Sequence, residues 1–306
     1  MNILITGGAG YVGTSLIPQL LNNHKVTVFD NLMYGGDALL PFFRHPNFEF
    51  IFGDIRNEYA LRQVVSKADI VIHLAAIVGY PACRLNPDLA ESVNVKGTQI
   101  LSNLLSKNQM VLFGSTGSNY GHVMDICTEE TPLNPISLYG QTKTRAEKIL
   151  SDNNTTIAYR FATAFGVSPR LRLDLLINDF TYRAVKEGFL VVYEKHFLRT
   201  FIHVSDMGRA FVFGIEHGDM AGNVFNIGSD DMNYSKEQIC SLIANKTTTY
   251  VHYADVGSDA DQRNYSVSYK KINALGFNTQ VSVEQGIDEL LNALRVINYK
   301  TPYTNA

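Results

Sequence analysis

The chain has 306 residues, of which 45% are hydrophobic and 18% are charged, and its formal net charge is -3. This composition supplies enough apolar surface for a packed core and excludes disordered, collagen-like and disulfide-rich proteins. A net charge so close to zero gives no general attraction for nucleic acid or for an anionic membrane. We therefore expect neither as a partner, and any phosphate group must be recognised locally.

The cysteines and the N-terminus indicate where the protein works. Cys83, Cys127 and Cys240 are far apart and form no C-x-x-C motif, which predicts neither a disulfide framework nor a zinc site. No His, Asp and Glu residues stand at metal-ligand spacing, so no metal is expected. The start MNILITGGAG lacks a basic segment followed by an apolar one, and no run of about 18 apolar residues occurs. These features predict a soluble, cytoplasmic protein.

Short apolar runs alternate with stretches of helical spacing through the first half of the chain. The runs are rich in β-branched and aromatic residues, as buried strands are. The intervening stretches place leucine and isoleucine at helical intervals. The alternation predicts an α/β fold with a doubly wound parallel (Rossmann) sheet, whose ligands bind at the carboxyl ends of the strands. The predicted strands lie at 2–6, 26–30, 48–53, 70–75, 110–115 and 156–161.

The alternation becomes less regular after residue 165. Residues 1–165 are predicted to form the Rossmann domain, and residues 166–306 a smaller C-terminal substrate-binding lobe. Two further strands, at 200–205 and 223–227, flank an apolar helical pattern. We expect the segment near 200–215 to return to the first domain. With no long linker in the sequence, the two parts should pack closely and leave a cleft between them.

A glycine-rich motif follows the first predicted strand at once. Gly7, Gly10 and Gly13 stand at G-x-x-G-x-x-G spacing, and helical spacing begins directly after them. In this context the glycines permit a tight turn, close approach to a pyrophosphate and close packing of helix on strand. The motif predicts dinucleotide binding, and an ordinary glycine-rich turn is the alternative.

The second predicted strand ends on an acidic residue that indicates which dinucleotide is bound. Asp30 stands 17 residues after Gly13, near the position where a carboxylate accepts hydrogen bonds from the ribose hydroxyls. Residues 31–36 contain no Arg or Lys, so a 2'-phosphate would be repelled and NAD is favoured over NADP. A turn-capping role for Asp30 is the alternative. Asp54 and Ile55 are placed to meet the adenine, although an Asp after a Gly is also common in turns.

A tyrosine and a lysine four residues apart indicate acid–base chemistry. On a helix, Tyr139 and Lys143 share one face, and Ser137 or Asn134 would cap that helix. A phenol with a pKa of about 10 is a poor base at neutral pH, but an adjacent ammonium favours the phenolate. The pair can then remove a hydroxyl proton while hydride leaves for the cofactor. Thr116, at the end of a predicted strand, is placed to hydrogen-bond the same substrate oxygen.

Several further motifs carry a resemblance that covers nearly the whole chain. They are Thr6-Gly7-x-x-Gly10-x-x-Gly13, Asp30-Asn31, Asp54, His73-Leu74-Ala75-Ala76, Asn94-Val95-x-Gly97-Thr98, Thr116, Tyr139-x-x-x-Lys143 and Arg199-x-Phe201-Ile202-His203-Val204. Together they resemble the extended short-chain dehydrogenase/reductase family of nucleotide-sugar epimerases and dehydratases. The resemblance implies that NAD is the cofactor and that the C-terminal lobe holds a nucleotide-diphosphate sugar.

The same resemblance implies roles for individual residues. Tyr139 is the expected catalytic base, with Thr116 and Lys143 as its catalytic partners. The implied cofactor-binding residues are Gly7, Gly10, Tyr11, Val12, Gly13, Asp30, Asn31, Asp54, Ile55, Leu74, Ala75, Ala76, Tyr139, Lys143 and Phe161. Arginine suits a diphosphate because its guanidinium binds two oxygens at once, although a solvated surface role is the alternative for each one. The assigned substrate residues are Tyr80, Ser118, Arg170, Arg172, Asn178, Arg199 and Arg263.

The loop after Thr116 limits which reactions the site can catalyse. In the resembled family, dehydratases follow the catalytic Thr with Asp-Glu and decarboxylases place a Glu in this loop, whereas this chain has Gly117-Ser118-Asn119. None of these three residues can transfer a proton at a useful pKa. We therefore expect oxidation at C4 of the sugar, with 4-epimerisation, 4,6-dehydration or a non-catalytic dinucleotide-sensing role as alternatives.

A narrower resemblance concerns the substrate, and a broader one concerns assembly. Segments such as Val78-Gly79-x-Pro81, 165–174 and 261–265 are similar to C4 dehydrogenases of bacterial capsule pathways that act on GDP-linked heptoses.

The family resemblance also predicts a homodimer through a four-helix bundle. We expect the helix with Tyr139 and the helix at 98–105 to form it, since both have apolar residues beyond one face.

Overall fold

The structure, a computed structural model, describes residues 1–152, 155–255, 264–297 and 303–305. The strands, in chain order, are β1 (Asn2–Thr6), β2 (Lys25–Asp30), β3 (Phe48–Phe52), β4 (Ile70–His73), β5 (Met110–Thr116), β6 (His122–Cys127), β7 (Thr156–Phe161), β8 (Thr163–Phe165), β9 (Phe189–Tyr193), β10 (Leu198–His203), β11 (Val224–Ile227), β12 (Asn233–Ser235), β13 (Tyr250–Ala254) and β14 (Asn264–Val267).

Helices connect most of these strands. They are α1 (Tyr11–Leu20), α2 (Glu58–Val65), α3 (Tyr80–Leu85), α4 (Pro87–Glu91), α5 (Thr98–Leu104), α6 (Leu138–Ser151), α7 (Leu176–Lys186), α8 (Val204–Glu216), α9 (Lys236–Ala244), α10 (Lys270–Asn273) and α11 (Val283–Leu294). A π-helical segment, Ser92–Gly97, joins α4 to α5. Within the described residues, no helix is both long enough and apolar enough to cross a membrane.

Seven strands form the central sheet in the order β11-β7-β5-β4-β1-β2-β3. Every neighbouring pair in it is parallel. The chain builds β1, β2 and β3 outward in one direction and then returns to place β4 on the other side of β1. The sheet therefore has its topological switch point between β1 and β4, where open α/β sheets bind ligands. This arrangement confirms the predicted doubly wound α/β fold.

Both faces of the central sheet are buried, because successive strand residues point to opposite sides. Ile3 and Ile5 of β1 belong to a core cluster with α1 on one face, whereas Leu4 joins Phe29 and Leu101 in a cluster on the other. All four residues of β4 and all six of β7 are buried. Continuous apolar strands of this kind are typical of a parallel sheet covered on two faces.

The six strands predicted in the first half are all present, and their ends differ by at most two residues. The largest difference is at β4, which ends at His73 rather than at residue 75. His73 pairs with Thr6 of β1, and the N–H of the next residue, Leu74, still donates to the carbonyl of Thr6 at 2.9 Å.

The strand predicted at 200–205 does not return to the central sheet, which corrects that expectation. It is β10, and it lies between β8 and β12 in a separate three-stranded sheet. The edge of the central sheet beside β7 is taken by β11, where Ile227 pairs with Phe161. The helix α8 that follows β10 does pack on α1, since Gln19 donates to the carbonyl of Ser205 at 3.1 Å.

The rest of the second half has its own core and small sheets. A third cluster joins Phe165, Leu173 and Ile177 to α11 through Ile287 and Leu290. Two further two-stranded sheets pair β13 with β9 and β14 with β6. Because β11 and α8 pack on the first half, the division at residue 165 stays a prediction.

Candidate active site

A cleft lies at the carboxyl ends of the central strands. Its wall contains every cofactor residue assigned from the sequence, together with Thr116, Tyr80, Ser118, Arg170 and Arg172. The structure thus brings the glycine motif, the acidic strand end and the Tyr139–Lys143 pair into one continuous surface.

The glycine turn at one end of the cleft has no room for side chains. Gly7 has a φ of +75°, and a Cβ built on it would lie 2.5 Å from the backbone nitrogen of Ala75. A Cβ on Gly13 would lie 2.4 Å from the carbonyl oxygen of Gly8. The turn therefore holds β1, α1 and the segment after β4 closer together than any other residue would allow.

The first turn of α1 presents unpaired N–H groups to the cleft. Gly10 is the N-cap and provides no side-chain hydrogen bond, and no acidic residue occupies the first turn. Tyr11, Val12 and Gly13 line the cleft. Exposed amide groups at a helix N-terminus, together with the helix dipole, form a site for an anion. The turn fits the diphosphate of a dinucleotide.

A buried guanidinium supports the same assignment. Arg170 is 5% exposed, and its Nε has no hydrogen-bond partner among the described residues. Its other nitrogens donate to the carbonyls of Leu171 and Thr304, and its guanidinium stacks 4.8 Å from the Tyr34 ring centroid. The backbone N–H of Arg170 donates to Thr14 Oγ1 of α1 at 3.3 Å, which ties this part of the cleft wall to the helix after the glycine turn.

Asp30 is held in place at the end of β2. One carboxylate oxygen accepts from the N–H of Ala9 at 3.0 Å and the other from the N–H of Leu32 at 2.8 Å. Burial raises the pKa of Asp30, and these two backbone hydrogen bonds oppose the rise. Its side chain is fixed on the cleft wall, where the resemblance places the adenosine ribose.

The adenine end of the cleft contains a second carboxylate. Asp54 forms an ion pair with Arg56 at 2.6 Å and accepts from Asn31 Nδ2 at 3.2 Å. The side-chain hydrogen bonds from Arg56 lower the pKa of Asp54 to about 2, although burial opposes them. Ile55, beside it, is buried against Gly97.

The helix α6 carries Tyr139 and Lys143 to the opposite end of the cleft. Ser137 caps it, accepting from the N–H of Gly140 at 3.1 Å, as predicted. Lys143 is 3% exposed, and its Nζ lies 4.0 Å from the centre of the Phe113 ring. Burial lowers the pKa of Lys143 to about 7. The lysine therefore changes its charge close to neutral pH.

Thr116 ends β5 beside this pair. Its Oγ1 accepts from the N–H of Ser118 at 3.1 Å and donates to Ser118 Oγ at the same distance. Both side chains are buried and line the cleft. Among the described residues of the cleft wall, the carboxylates are Asp30 and Asp54, both at the adenosine end. Within the described chain, no three His, Cys, Asp or Glu side chains are grouped to hold a metal ion.

Arg172 and Tyr80 are two of the four substrate residues assigned from the sequence that line the cleft, with Ser118 and Arg170. Arg172 is 7% exposed and pairs with Asp174 through Nε at 3.1 Å and Nη2 at 2.6 Å. Burial lowers the pKa of Arg172, but the charge and hydrogen bond of Asp174 outweigh this, so that the pKa is raised. Tyr80 accepts from Arg84 Nη1 at 3.2 Å.

Two of the substrate assignments, Asn178 and Arg199, are not among the described residues that line the cleft. Asn178 is fully buried below the loop that follows β8, where its amide binds the backbone of Gly166 and the carbonyl of Arg172. Arg199 is 2% exposed and is not part of the cleft wall. Asn178 therefore supports the backbone around the site. Arg263 lies outside the described residues.

The cleft is also lined by residues that were not assigned a site role from the sequence, among them Ser115, Tyr34 and Tyr265. Ser115 is the residue before Thr116 in β5 and lines the wall with it. Tyr34 and Tyr265 also line the cleft, from the loop after β2 and from β14. Tyr265 lies on β14, which pairs with β6. The local sequence around Tyr265 does not indicate that pairing.

Comparisons with known proteins agree with this geometry. Residues 3–228 match the family described as the NAD dependent epimerase/dehydratase family. A low-salt glycan biosynthesis protein of Haloferax volcanii is 31% identical over 304 residues, covering 94% of this chain and 96% of the relative. A putative UDP-glucose 4-epimerase of Methanocaldococcus jannaschii is 24% identical over 307 residues, covering 96% and 98%.

A solved structure extends the similarity to three dimensions. The dTDP-glucose 4,6-dehydratase of Bacillus anthracis, in complex with NAD, has a TM-score of 0.83 and 26% identity, covering 95% of this chain and 96% of that chain. The matched family is NAD-dependent, and this cleft fits a dinucleotide in its glycine turn, its helix N-terminus and Asp30. The chain therefore belongs to the NAD-dependent epimerase/dehydratase family, as an enzyme that uses NAD.

Proposed function

We propose that the enzyme oxidises the C4 hydroxyl of a nucleotide-diphosphate sugar to a ketone. The observation that carries this proposal is the composition of the cleft wall around Tyr139. Thr116, Tyr139 and Lys143 line it together, whereas the described carboxylates of the wall lie at the adenosine end. The site is equipped to remove one hydroxyl proton, and among the described residues its sugar end holds no carboxylate for an elimination.

Tyr139 acts as the base, and the two cations that favour its ionised form, Lys143 and Arg172, line the cleft with it. Lys143 follows it by one helical turn, and the charges of Arg172 and of the Tyr139 phenolate act on one another. An opposite charge nearby favours the ionised form of a phenol. When the sugar binds, the Thr116 hydroxyl turns its proton from Ser118 Oγ to the same sugar oxygen and holds that oxygen against Tyr139. When bound, NAD supplies the hydride acceptor.

The sugar nucleotide lies across the part of the cleft that carries Arg172 and Tyr80. A guanidinium already paired with Asp174 keeps its position without substrate, so that little order is lost when a ligand binds. The narrower sequence resemblance supports a GDP-linked heptose as the first substrate to test. The names of relatives support UDP-glucose and dTDP-glucose as the next.

The proposal is tested by small-molecule mass spectrometry of the purified enzyme, followed by incubation with GDP-heptose, UDP-glucose and dTDP-glucose. Absorbance of NADH and the mass of the product are recorded for each. We expect one of them to lose two hydrogens while NADH forms. The matched control is Tyr139→Phe, which removes only the hydroxyl. A product of unchanged mass with no net NADH would instead indicate epimerisation, and turnover undiminished in the Phe variant would contradict the role of Tyr139.

We also propose that the protein is a homodimer, for which the family resemblance is the main support. The exposed positions of α5 are Gln99 and Asn103, and those of α6 include Gln141 and Arg145. Apolar side chains of the same two helices, Ile100, Leu104, Leu138 and Ile149, are half-buried. Light scattering at micromolar concentration tests the dimer, and a monomer would contradict it.

A further inference from the structure

A buried carboxylate below the cleft joins three separate parts of the catalytic wall. Glu147 lies one turn after Lys143 on α6 and is 5% exposed. Its oxygens accept from Ser115 Oγ at 2.5 Å, Asn119 Nδ2 at 3.2 Å and Arg160 Nη2 at 2.6 Å. A carboxylate this deeply buried is tolerated because an ion pair and further hydrogen bonds satisfy it.

Each partner of Glu147 is adjacent in sequence to a residue of the cleft wall. Ser115 comes directly before Thr116, and Asn119 directly after Ser118. Arg160 comes directly before Phe161, another wall residue. One side chain on α6 thereby fixes the end of β5, the turn after it and the end of β7 relative to the helix that carries Tyr139.

The charge of Glu147 also acts on Lys143. Burial lowers the pKa of Lys143 to about 7, and the charge of Glu147 is the larger of two influences that raise it, the other being Cys83 on α3. From β4, His73 faces the same ammonium: burial and the charge of Lys143 lower the pKa of His73 to about 3. His73 is therefore neutral at pH 7 and adds no charge of its own.

We propose that Glu147 is a positioning residue for the oxidation, which holds Thr116 in line with Tyr139 through Ser115 and keeps Lys143 in its ammonium form. This inference rests on the proposed function for its catalytic consequence. Glu147 is not part of the cleft wall and does not touch the substrate. Arg160 is its counterion and offsets part of the cost of burying it.

The first experiment measures the charge of Lys143 without any sugar. Protein labelled with carbon-13 at lysine Cε is titrated by NMR, and the signal is assigned with Lys143→Met. In Glu147→Gln, which keeps the shape and removes the charge, we expect the Lys143 midpoint to fall by about one pH unit. The matched control is Glu91→Gln, because Glu91 pairs with Arg145 of the same helix at 2.7 Å. We expect no shift there.

Loss of Glu147 leaves Arg160 buried without its counterion, and this single variant can fail to fold. The double variant Glu147→Gln with Arg160→Met removes both charges, and the lower midpoint is expected in it as well. An unchanged midpoint in whichever variant folds overturns the electrostatic part of the proposal.

The second experiment separates the positioning of Thr116 from the effect on Lys143. It uses the sugar nucleotide that the screen under Proposed function identifies as the substrate. We expect Glu147→Gln to lower kcat about tenfold or more while KM and NAD affinity stay within about twofold. Ser115→Ala should lower kcat with the Lys143 midpoint unchanged, because it removes only the hydrogen bond. Undiminished kcat in both variants overturns the positioning role. A wild-type enzyme that oxidises none of the sugars contradicts the proposed function instead, and the titration still decides on Glu147.

Discussion

The carboxylate of Asp30 accepts a hydrogen bond from the backbone N–H of Ala9 at 3.0 Å. This bond ties the end of β2 to the glycine turn between β1 and α1. The residue assigned to the ribose and the turn assigned to the diphosphate therefore keep a fixed distance from one another. Both are therefore in position before a dinucleotide binds.

Replacement of Asp30 tests the choice of cofactor. Asp30→Ala should weaken NAD binding and relax the discrimination against NADP, because the ribose contact and the repulsion of a 2'-phosphate disappear together. Calorimetric titration of the wild type and the variant with both cofactors measures this. Equal affinity for NADP and NAD in the unmodified protein would show that Asp30 does not face the ribose.

Arg170 and Arg172 should affect different ligands, although they are two residues apart. Arg170→Met should weaken NAD binding about tenfold or more, since a charged hydrogen bond to the diphosphate is lost. The KM for the sugar nucleotide should stay nearly unchanged. Arg172→Met should raise that KM and leave NAD binding intact. Titration with NAD and steady-state kinetics test both, with Arg183→Met on the exposed side of α7 as a control. The opposite pattern would return Arg170 to the sugar end.

The positions of these arginines show what a local pattern can and cannot predict. The six strands of the first half, the glycine turn and the Ser137 cap depend on neighbours within a few residues, and all were predicted. Asn178 and Arg199 were assigned by resemblance, but packing turns Asn178 towards the backbone of Gly166. The contacts of a single side chain depend on how several elements pack, which the spacing of residues does not record.

The Glu147 network illustrates the same limit within the site. The spacing of Tyr139, Lys143 and Glu147 places all three on one stripe of a helix, so a buried acid next to the lysine was open to prediction. Its pairing with Arg160 was not, because Arg160 comes from β7 and meets α6 only when both pack against β5. Likewise, β10 has the pattern of a central strand, yet it leaves the central sheet because β11 takes the edge beside β7.

The buried lysine should make the stability of the protein depend on pH. Burial lowers the pKa of Lys143 to about 7, whereas in an unfolded chain a lysine has a pKa of about 10.4. Between these values the unfolded state holds a proton that the folded state has released, so the free energy of unfolding rises with pH. The cost of burying Lys143 is therefore greatest at and below pH 7 and fades towards pH 10.

Lys143→Met should accordingly raise the free energy of unfolding by on the order of 3 kcal/mol at pH 6 and by little at pH 10. Denaturant unfolding curves at the two pH values measure the difference. The control is Lys148→Met, an exposed lysine on the same helix, which should change little at either pH. An equal increase in the free energy of unfolding at pH 6 and pH 10 would show that the buried ammonium of Lys143 does not destabilise the protein.

The last prediction concerns where the reaction stops. Elimination across C5 and C6 of a sugar needs one group to remove the C5 proton and another to protonate the departing C6 hydroxyl. Gly117 and Ser118 follow Thr116, and the described carboxylates of the cleft wall, Asp30 and Asp54, belong to the adenosine end. The C6 hydroxyl should therefore be retained in the product. With the reaction run in deuterated water, mass spectrometry should find a ketone that has lost two hydrogens and no water. Loss of water together with one solvent deuteron at C5 would require an acid–base pair at the sugar end, and would replace oxidation by dehydration as the activity of this enzyme.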